Sequence, residues 1–255
     1  MSNTTKSKIK GGEQEAVIKI NGLAKSFGAN EVLKDINLEL HKEENLVILG
    51  KSGTGKSVTI KCIVGLLTQD KGNVTVFDEE VDKLSEDDLK ALRIRIGFLF
   101  QSGALYDSMT VRENLEFPLR RVLKLKDKND IDKRIEEILE GVGLPDAIDK
   151  MPSELSGGMR KRIGLARTMI LKPEIMLYDE PTTGLDPITS KEISELIQSM
   201  KKNYHVSSII ITHDIACAKI TADRMLVMDS GKIIAEGSFD ELENSKEKLV
   251  NSFFK

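Results

Sequence analysis

A glycine-rich loop after a short apolar run constrains the fold of this 255-residue chain more than any other segment. The apolar run is Asn45–Leu49, and the loop reads Gly50, Lys51, Ser52, Gly53, Thr54, Gly55, Lys56 and Ser57. A continuously apolar run of this length is typical of a buried parallel strand. Between a strand and a helix, Gly-x-x-x-x-Gly-Lys-Ser indicates a loop that wraps phosphate groups. The sequence therefore predicts an α/β fold with a mainly parallel sheet built around this loop.

The chemistry of the loop predicts binding of a nucleoside triphosphate with Mg²⁺. Backbone amides in the loop and at the start of the following helix point at phosphate oxygens. Lys56 would supply positive charge to the β- and γ-phosphates, and the Ser57 hydroxyl would bind Mg²⁺. Lys51 is expected to contribute through its backbone alone.

A second apolar run, Ile175–Tyr178, ends in the carboxylates of Asp179 and Glu180. Acids at the carboxyl end of a buried parallel strand lie where ligands bind in such sheets. We expect Asp179 to hold Mg²⁺, directly or through water, and Glu180 to orient or deprotonate the water that attacks the nucleotide. Together with the glycine-rich loop, these two acids predict hydrolysis of a nucleoside triphosphate.

Composition narrows the class of protein. The 41 acidic and 38 basic residues nearly balance, and Trp is absent, so nothing in the composition favours a nucleic-acid partner. No apolar run approaches the roughly 20 residues that span a bilayer, and the first fifteen residues lack an apolar signal region. Cys62 and Cys217 lie in apolar segments and are expected to be buried and reduced. We expect a soluble cytoplasmic chain that reaches a membrane only through a partner.

Strand and helix patterns divide the chain into three predicted parts. Residues 1–15 are polar and predict a disordered tail. Residues 16–240 alternate strands and helices, which predicts a P-loop NTPase (RecA-like) core preceded by an antiparallel β subdomain. A helical block at about 102–162 interrupts the alternation and is expected to form an inserted subdomain. Residues 241–255 remain as a C-terminal tail.

The segment Leu155–Met159, read Leu-Ser-Gly-Gly-Met, resembles the signature motif of the ABC ATPase family. Ser156 and the amides of Gly157 and Gly158 begin a helix and form a second anion site. In the family, this site binds the γ-phosphate of an ATP held by the opposite subunit, so the resemblance implies a homodimer. Most members carry Gln or Glu where this chain has Met159, which removes one polar contact near the ribose.

Other positions match the family over about residues 17–240. Gln101 resembles the glutamine that touches Mg²⁺ and senses the membrane-embedded partner. Asp186, in Gly184-Leu-Asp186, resembles the loop that crosses the dimer. His213 resembles the histidine that contacts the γ-phosphate, and Phe27 the aromatic residue that stacks on adenine.

Three segments, 100–110, 155–162 and 178–188, are similar to one branch of the family, the ATPases of Mla-type (MCE-associated) transporters. That resemblance implies phospholipid transport between inner and outer membranes. It also implies an integral-membrane permease, an MCE-type lipid-binding subunit, an accessory regulator, and a location on the cytoplasmic face of the inner membrane. The C-terminal residues 249–254 resemble that branch's tail, which packs across the dimer; a frayed amphipathic end is the alternative.

Other functions stay open at this point. One is the ATPase of a small-solute importer, for example for an amino acid. Another is a soluble ABC protein acting on DNA or the ribosome, although the DNA type would need a long coiled-coil insertion and the ribosome type a second cassette. The signature glycines disfavour a plain kinase or GTPase.

Overall fold

The computed structural model describes residues 15–101 and 103–254, so the predicted tail of residues 1–15 lies outside it except for Glu15. The strands are β1 (Ala16–Phe27), β2 (Asn30–His41), β3 (Asn45–Leu49), β4 (Lys71–Val76), β5 (Glu79–Glu80), β6 (Ile96–Leu99), β7 (Ile175–Asp179), β8 (Ser207–Thr212), β9 (Arg224–Asp229) and β10 (Lys232–Gly237). The helices are α1 (Lys56–Ile63), α2 (Glu86–Arg95), α3 (Val111–Arg121), α4 (Lys128–Gly141), α5 (Gly157–Met169), α6 (Pro187–Tyr204), α7 (Ile215–Thr221), α8 (Phe239–Glu243) and α9 (Lys248–Asn251).

The larger sheet has the strand order β10-β9-β3-β8-β7-β6. Its strands run parallel from β9 to β6, and β10 forms an antiparallel hairpin with β9. Every residue of β3 is buried, as the unbroken apolar run predicts. Because β3, β7 and β8 are parallel neighbours, their carboxyl ends meet at one edge of the sheet, where ligands bind. The predicted mainly parallel core is confirmed.

The smaller sheet is antiparallel and has the order β2-β1-β4-β5. Alternate residues of its strands are buried, including Ile18 and Ile20 in β1 and Val74 and Val76 in β4. This period of two is expected when one face of a strand packs on a core and the other meets water. The sheet confirms the predicted N-terminal antiparallel unit.

Helices α3, α4 and α5 lie between β6 and β7 in the chain and pack on one another. Each begins at a side chain that caps its first turn: Thr110 for α3, Asp127 for α4 and Ser156 for α5. Ile131 and Ile135 of α4 are fully buried, four residues apart on its inner face. These helices therefore form the block that separates the glycine-rich loop from the acidic strand in the sequence.

Asn114 fastens the loop before α3 to that helix. Its side chain is fully buried, and its Oδ1 accepts from the Tyr106 amide at 2.9 Å. Its Nδ2 lies 3.1 Å from the Tyr106 carbonyl, 3.0 Å from that of Met109 and 3.0 Å from that of Thr110. One buried amide thus holds the loop that ends at Thr110 in a single conformation.

The C-terminal segment packs on its own chain in this structure. Val250 of α9 is fully buried, and the Phe254 ring meets the Phe239 ring edge-to-face at 5.4 Å between centroids. The Lys51 ammonium lies 5.7 Å from the centre of the Phe253 ring. The end of the described chain therefore lies beside the glycine-rich loop.

Replacing Asn114 with Leu should lower the free energy of unfolding by about 2–4 kcal/mol, because it leaves buried backbone groups without partners. The matched control is Arg120→Leu, an exposed position on the same helix, where we expect a change of about 0.5 kcal/mol or less. Urea denaturation of both variants measures the difference. Equal unfolding midpoints would show that the Asn114 contacts do not hold this loop.

Candidate active site

The glycine-rich loop borders a cavity of about 320 Å³ at the carboxyl edge of the parallel sheet. Gly53 and Gly55 adopt φ values of +81° and +106°, which residues with a side chain rarely adopt. A Cβ atom on Gly55 would also lie 2.5 Å from the Leu33 side chain. These two glycines let the backbone turn and bring the start of α1 toward the cavity.

Lys56 lies at the base of this cavity and is only 5% exposed. Its ammonium donates to the Gly50 carbonyl at 2.6 Å and to the Lys51 carbonyl at 3.0 Å. Nζ also lies 3.6 Å from Oε1 of Glu180. Burial lowers the pKa of Lys56, and the nearby Glu180 carboxylate opposes that effect. The cavity therefore holds a desolvated cation, as a phosphate site requires.

Ser57 and Asp179 meet across the cavity, with the Ser57 hydroxyl donating to Oδ1 of Asp179 at 3.0 Å. Gln101 lines the same space. These are oxygen ligands, and Mg²⁺ in nucleotide sites usually takes one or two protein oxygens together with phosphate oxygens and water. The donor set fits a magnesium ion bound between protein and nucleotide.

Glu180 lies at the centre of the polar contacts around the cavity. Its Oε2 accepts from Nδ1 of His213 at 2.8 Å and from the Thr183 hydroxyl at 3.3 Å, while Oε1 faces Lys56. Its backbone has φ +52°, a left-handed conformation that costs a residue with a side chain about 1–2 kcal/mol. The turn after β7 therefore aims this carboxylate toward the cavity at some expense in backbone strain.

The structure brings together nine of the residues singled out from the sequence. Those residues are Ser52, Gly53, Gly55, Lys56, Ser57, Gln101, Asp179, Glu180 and His213. His213 follows β8 and is half exposed, so its ring reaches Glu180 from the solvent side. Register explains the meeting, since Asp179 of β7 pairs with Ile211 of β8, two residues before His213.

Ser156, Gly157, Gly158, Asp186 and Phe27 do not line this cavity. Ser156 caps α5 and Asp186 caps α6, so both are engaged in their own helices. Hydrogen bonds from Thr189 keep the pKa of the Asp186 carboxyl below its usual range. Phe27 is 48% exposed at the end of β1, and its ring lies 5.6 Å from the Lys25 ammonium.

Lys161 is a neighbour of the site that was not identified from the sequence. Its Nζ donates to the Gln101 carbonyl and lies 3.4 Å from the Glu180 carbonyl. The helical period could have identified it, because Lys161 stands four residues before Leu165 and eight before Met169. That spacing places Lys161 on the buried face of α5.

An apolar groove of about 430 Å³ is lined by residues on both sides of Gln101 in the sequence, among them Phe100 and Gly103. Phe100 and Tyr106 in the groove are each 41% exposed. Arg167 lies at its edge, with its guanidinium 4.4 Å from the centre of the Tyr106 ring. Exposed aromatic groups beside a cation are typical of a surface that contacts another protein.

Known proteins resemble this chain over most of its length. A family model described as ABC transporter matches residues 33–183. The probable ribonucleotide transport ATP-binding protein mkl of Mycobacterium tuberculosis is 39% identical over 92% of this chain. The chain spans 66% of the length of that relative.

Two further relatives carry names that refer to other molecules. Protein TRIGALACTOSYLDIACYLGLYCEROL 3 of Arabidopsis thaliana is 36% identical over 94% of this chain and 74% of its own length. Methionine import ATP-binding protein MetN 2 of Bacillus cereus is 37% identical over 93% of this chain and 71% of its own length.

Solved structures share the fold. The protein cbiO1 from Clostridium perfringens, part of the ABC transporter complex cbiONQ, superposes with a TM-score of 0.84 at 30% identity, covering 92% of this chain and 93% of its own. The ATP-binding cassette MJ0796, solved as a dimer bound to ADP and Pi, gives a TM-score of 0.78 at 29% identity, covering 87% and 98%.

Within residues 15–101 and 103–254, no helix combines the length and the apolar character needed to cross a membrane. The family match, the identities of the relatives and the shared fold agree with a cavity built from a phosphate-binding loop and a pair of strand-end acids. The chain belongs to the ABC transporter family and carries the ATP-hydrolysing domain of that family.

Proposed function

We propose that this chain powers phospholipid transport between the inner and outer membranes, as one of two ATPase subunits bound to an integral-membrane permease. The observation that carries its ATPase role is the cavity in which Lys56, the Ser57–Asp179 pair and Glu180 face one another. The complex would lie on the cytoplasmic face of the inner membrane. An MCE-type lipid-binding subunit and an accessory regulator complete the proposed assembly.

The cavity holds residues that would carry a phosphoryl transfer to water. Loop amides and Lys56 bind the β- and γ-phosphates, and Lys56 exchanges its carbonyl partners for phosphate oxygens. Ser57, Asp179 and Gln101 would hold Mg²⁺, which neutralises charge on the phosphates. Glu180 accepts a proton from water as the water oxygen bonds to the γ-phosphorus and the bond to the ADP oxygen breaks. His213, hydrogen-bonded to Glu180, orients that carboxylate and faces the γ-phosphate.

One chain supplies half of this site. Ser156, Gly157 and Gly158 form an anion site at the start of α5, yet they lie outside the cavity of their own chain. In a head-to-tail pair, they would meet the γ-phosphate held by Lys56 of the other copy, with Asp186 and its loop near the contact. The dimeric assembly of the MJ0796 cassette supports this arrangement.

The phospholipid assignment is supported by the resemblance of segments 100–110, 155–162 and 178–188 to Mla-type ATPases. The segment after Gln101 borders the apolar groove, which we propose as the contact with the permease. The relative from Arabidopsis thaliana is named after a glycolipid, which agrees with a lipid substrate.

The second candidate is import of a small solute such as an amino acid. It is favoured by the 37% identity to the methionine import protein of Bacillus cereus. The same ATP cycle would serve either transporter, so the permease decides between them.

Replacing Glu180 with Gln should lower the ATPase kcat by about 10²–10⁴-fold, because an amide of the same shape cannot accept a proton. Hydrolysis then no longer separates the pair, so a dimer should accumulate with ATP in size-exclusion chromatography. Glu174→Gln, at the exposed start of the same strand, is the matched control and should keep wild-type activity. Wild-type hydrolysis by Glu180→Gln, or no ATP-dependent dimer even beside the permease, would contradict the scheme.

Replacing Tyr106 with Asp should remove the permease from the purified complex, because burying a carboxylate in an apolar contact is costly. ATP binding should stay within about threefold of wild type. The measurement is purification of a tagged chain from detergent-solubilised membranes, with identification of the proteins and lipids retained. Leu66→Asp, at an apolar residue 52% exposed outside the groove, is the control.

A permease with a lipid-binding subunit and bound phospholipid supports the proposal. Recovery of an amino-acid transporter would favour the second candidate, and recovery of ribosomes would contradict both. If Tyr106→Asp retains the permease as fully as Leu66→Asp does, the groove is not the contact.

A further inference from the structure

One row of α5 holds the backbone of the loop that follows β6. Lys161, Gly164 and Arg167 stand three residues apart on this helix, so they form one ridge along its surface. Lys161 donates from Nζ to the Gln101 carbonyl, and Arg167 donates from a guanidinium nitrogen to the Ala104 carbonyl. The outer members of the ridge thus bind the backbone at Gln101 and at Ala104.

The middle member of the ridge has no side chain, which allows the loop to rest directly on the helix. A Cβ on Gly164 would lie 2.7 Å from the Gly103 carbonyl oxygen and 3.1 Å from Gly103 Cα. Gly103 and Ala104 both have left-handed backbones, with φ of +76° and +49°. For Ala104 this conformation is strained, so the surrounding contacts must hold it in place.

Lys161 also reaches the acidic strand end. Lys161 is 6% exposed, and its ammonium lies 3.4 Å from the carbonyl of Glu180, one residue after β7. Both hydrogen bonds of this ammonium go to backbone carbonyls, and burial lowers the pKa of Lys161 while the nearby Glu180 and Asp179 carboxylates oppose that effect. A buried cation satisfied mainly by carbonyls adds little to stability, because its desolvation offsets its hydrogen bonds. Its position therefore suggests a role other than stabilising the fold.

We propose that Lys161 and Arg167 are positioning residues that latch the loop at Gln101, Gly103 and Ala104 to α5. The latch makes the groove edge, the Glu180 backbone and the start of α5 at Ser156 move as one body. A displacement of the groove is thereby carried along one helix to the anion site that serves the other copy's ATP. The inference rests on the proposed function in taking the groove as the contact with the permease. The latch itself lies within a single chain.

Hydrogen exchange on the full-length chain tests the latch without a permease. The Gly103 amide donates to the Phe100 carbonyl at 2.9 Å, whereas the Tyr106 amide is held by Asn114. In Lys161→Met and in Arg167→Met, exchange of the Gly103 amide should rise about tenfold, because a hydrogen bond from a charged donor is lost. The Tyr106 amide should change less than threefold.

Two variants serve as controls for this exchange. Lys161→Arg keeps a charged donor and should restore slow exchange at Gly103. Arg160→Met removes an exposed cation from the same helix and should match the wild type. Should Lys161→Met fail to fold, Arg167→Met carries the same test from the half-buried end of the ridge.

Steady-state ATPase kinetics separate positioning from a structural role. With the latch broken, kcat should fall about tenfold and the KM for ATP should stay within about twofold, because neither Lys161 nor Arg167 contacts the phosphate-binding loop. Unchanged exchange at Gly103 overturns the proposal, as does a rise in KM together with a lower unfolding midpoint. Loss of permease binding in Tyr106→Asp bears on the groove alone, so failure of the latch and failure of the proposed function remain distinguishable.

Discussion

The site depends on placing a lysine and a glutamate next to each other at the carboxyl edge of the parallel sheet, where both side chains are largely buried. Lys56 and Glu180 lie 3.6 Å apart, and their side chains are 5% and 14% exposed, so each lowers the cost of burying the charge of the other. Their elements are adjacent because β3 and β7 both pair with β8, so the loop after β3 opens toward the turn after β7. The phosphate groups of a bound nucleotide would take the place of the loop carbonyls around Lys56, which makes the cavity an anion site whose charges are already in position.

The cavity of one chain does not include the second anion site of that chain. The glycines at the start of α5 offer amides to an anion, and yet they do not line the space around Lys56. Two anion sites on one chain are best explained if two copies pair so that each nucleotide site combines residues of both chains. In the proposed pair, helix α5 would have a double role, since one end would serve the partner's nucleotide while its buried ridge holds the loop beside the apolar groove. This arrangement would give a physical route between nucleotide and permease through one rigid helix.

The sequence predicted those parts of the fold that depend on local pattern. Each of these parts is a short continuous segment: the β3 run with its glycine-rich loop, and the β7 run with Asp179 and Glu180. The structure has both segments as expected. Helix α2 was not predicted, because Leu92 is its one fully buried residue and its apolar period is weak. The links made by Lys161 and Asn114 were missed because both join segments through backbone carbonyls, which carry no residue-type signal. The proposed phospholipid substrate rests on the resemblance of short segments, because an ATPase subunit bound to a permease would not contact the transported molecule.

The central claim is that each ATP is shared between two chains, and mixing two defective chains measures it most directly. Lys56→Met removes the phosphate-binding cation, and Ser156→Arg blocks the anion site at the start of α5. Each variant alone should lack ATPase activity, because every site in its dimer has a defective half. A mixture should recover activity, since a mixed pair contains one site with an intact loop facing an intact α5 start. Activity no greater than the sum of the two separate variants would contradict the account.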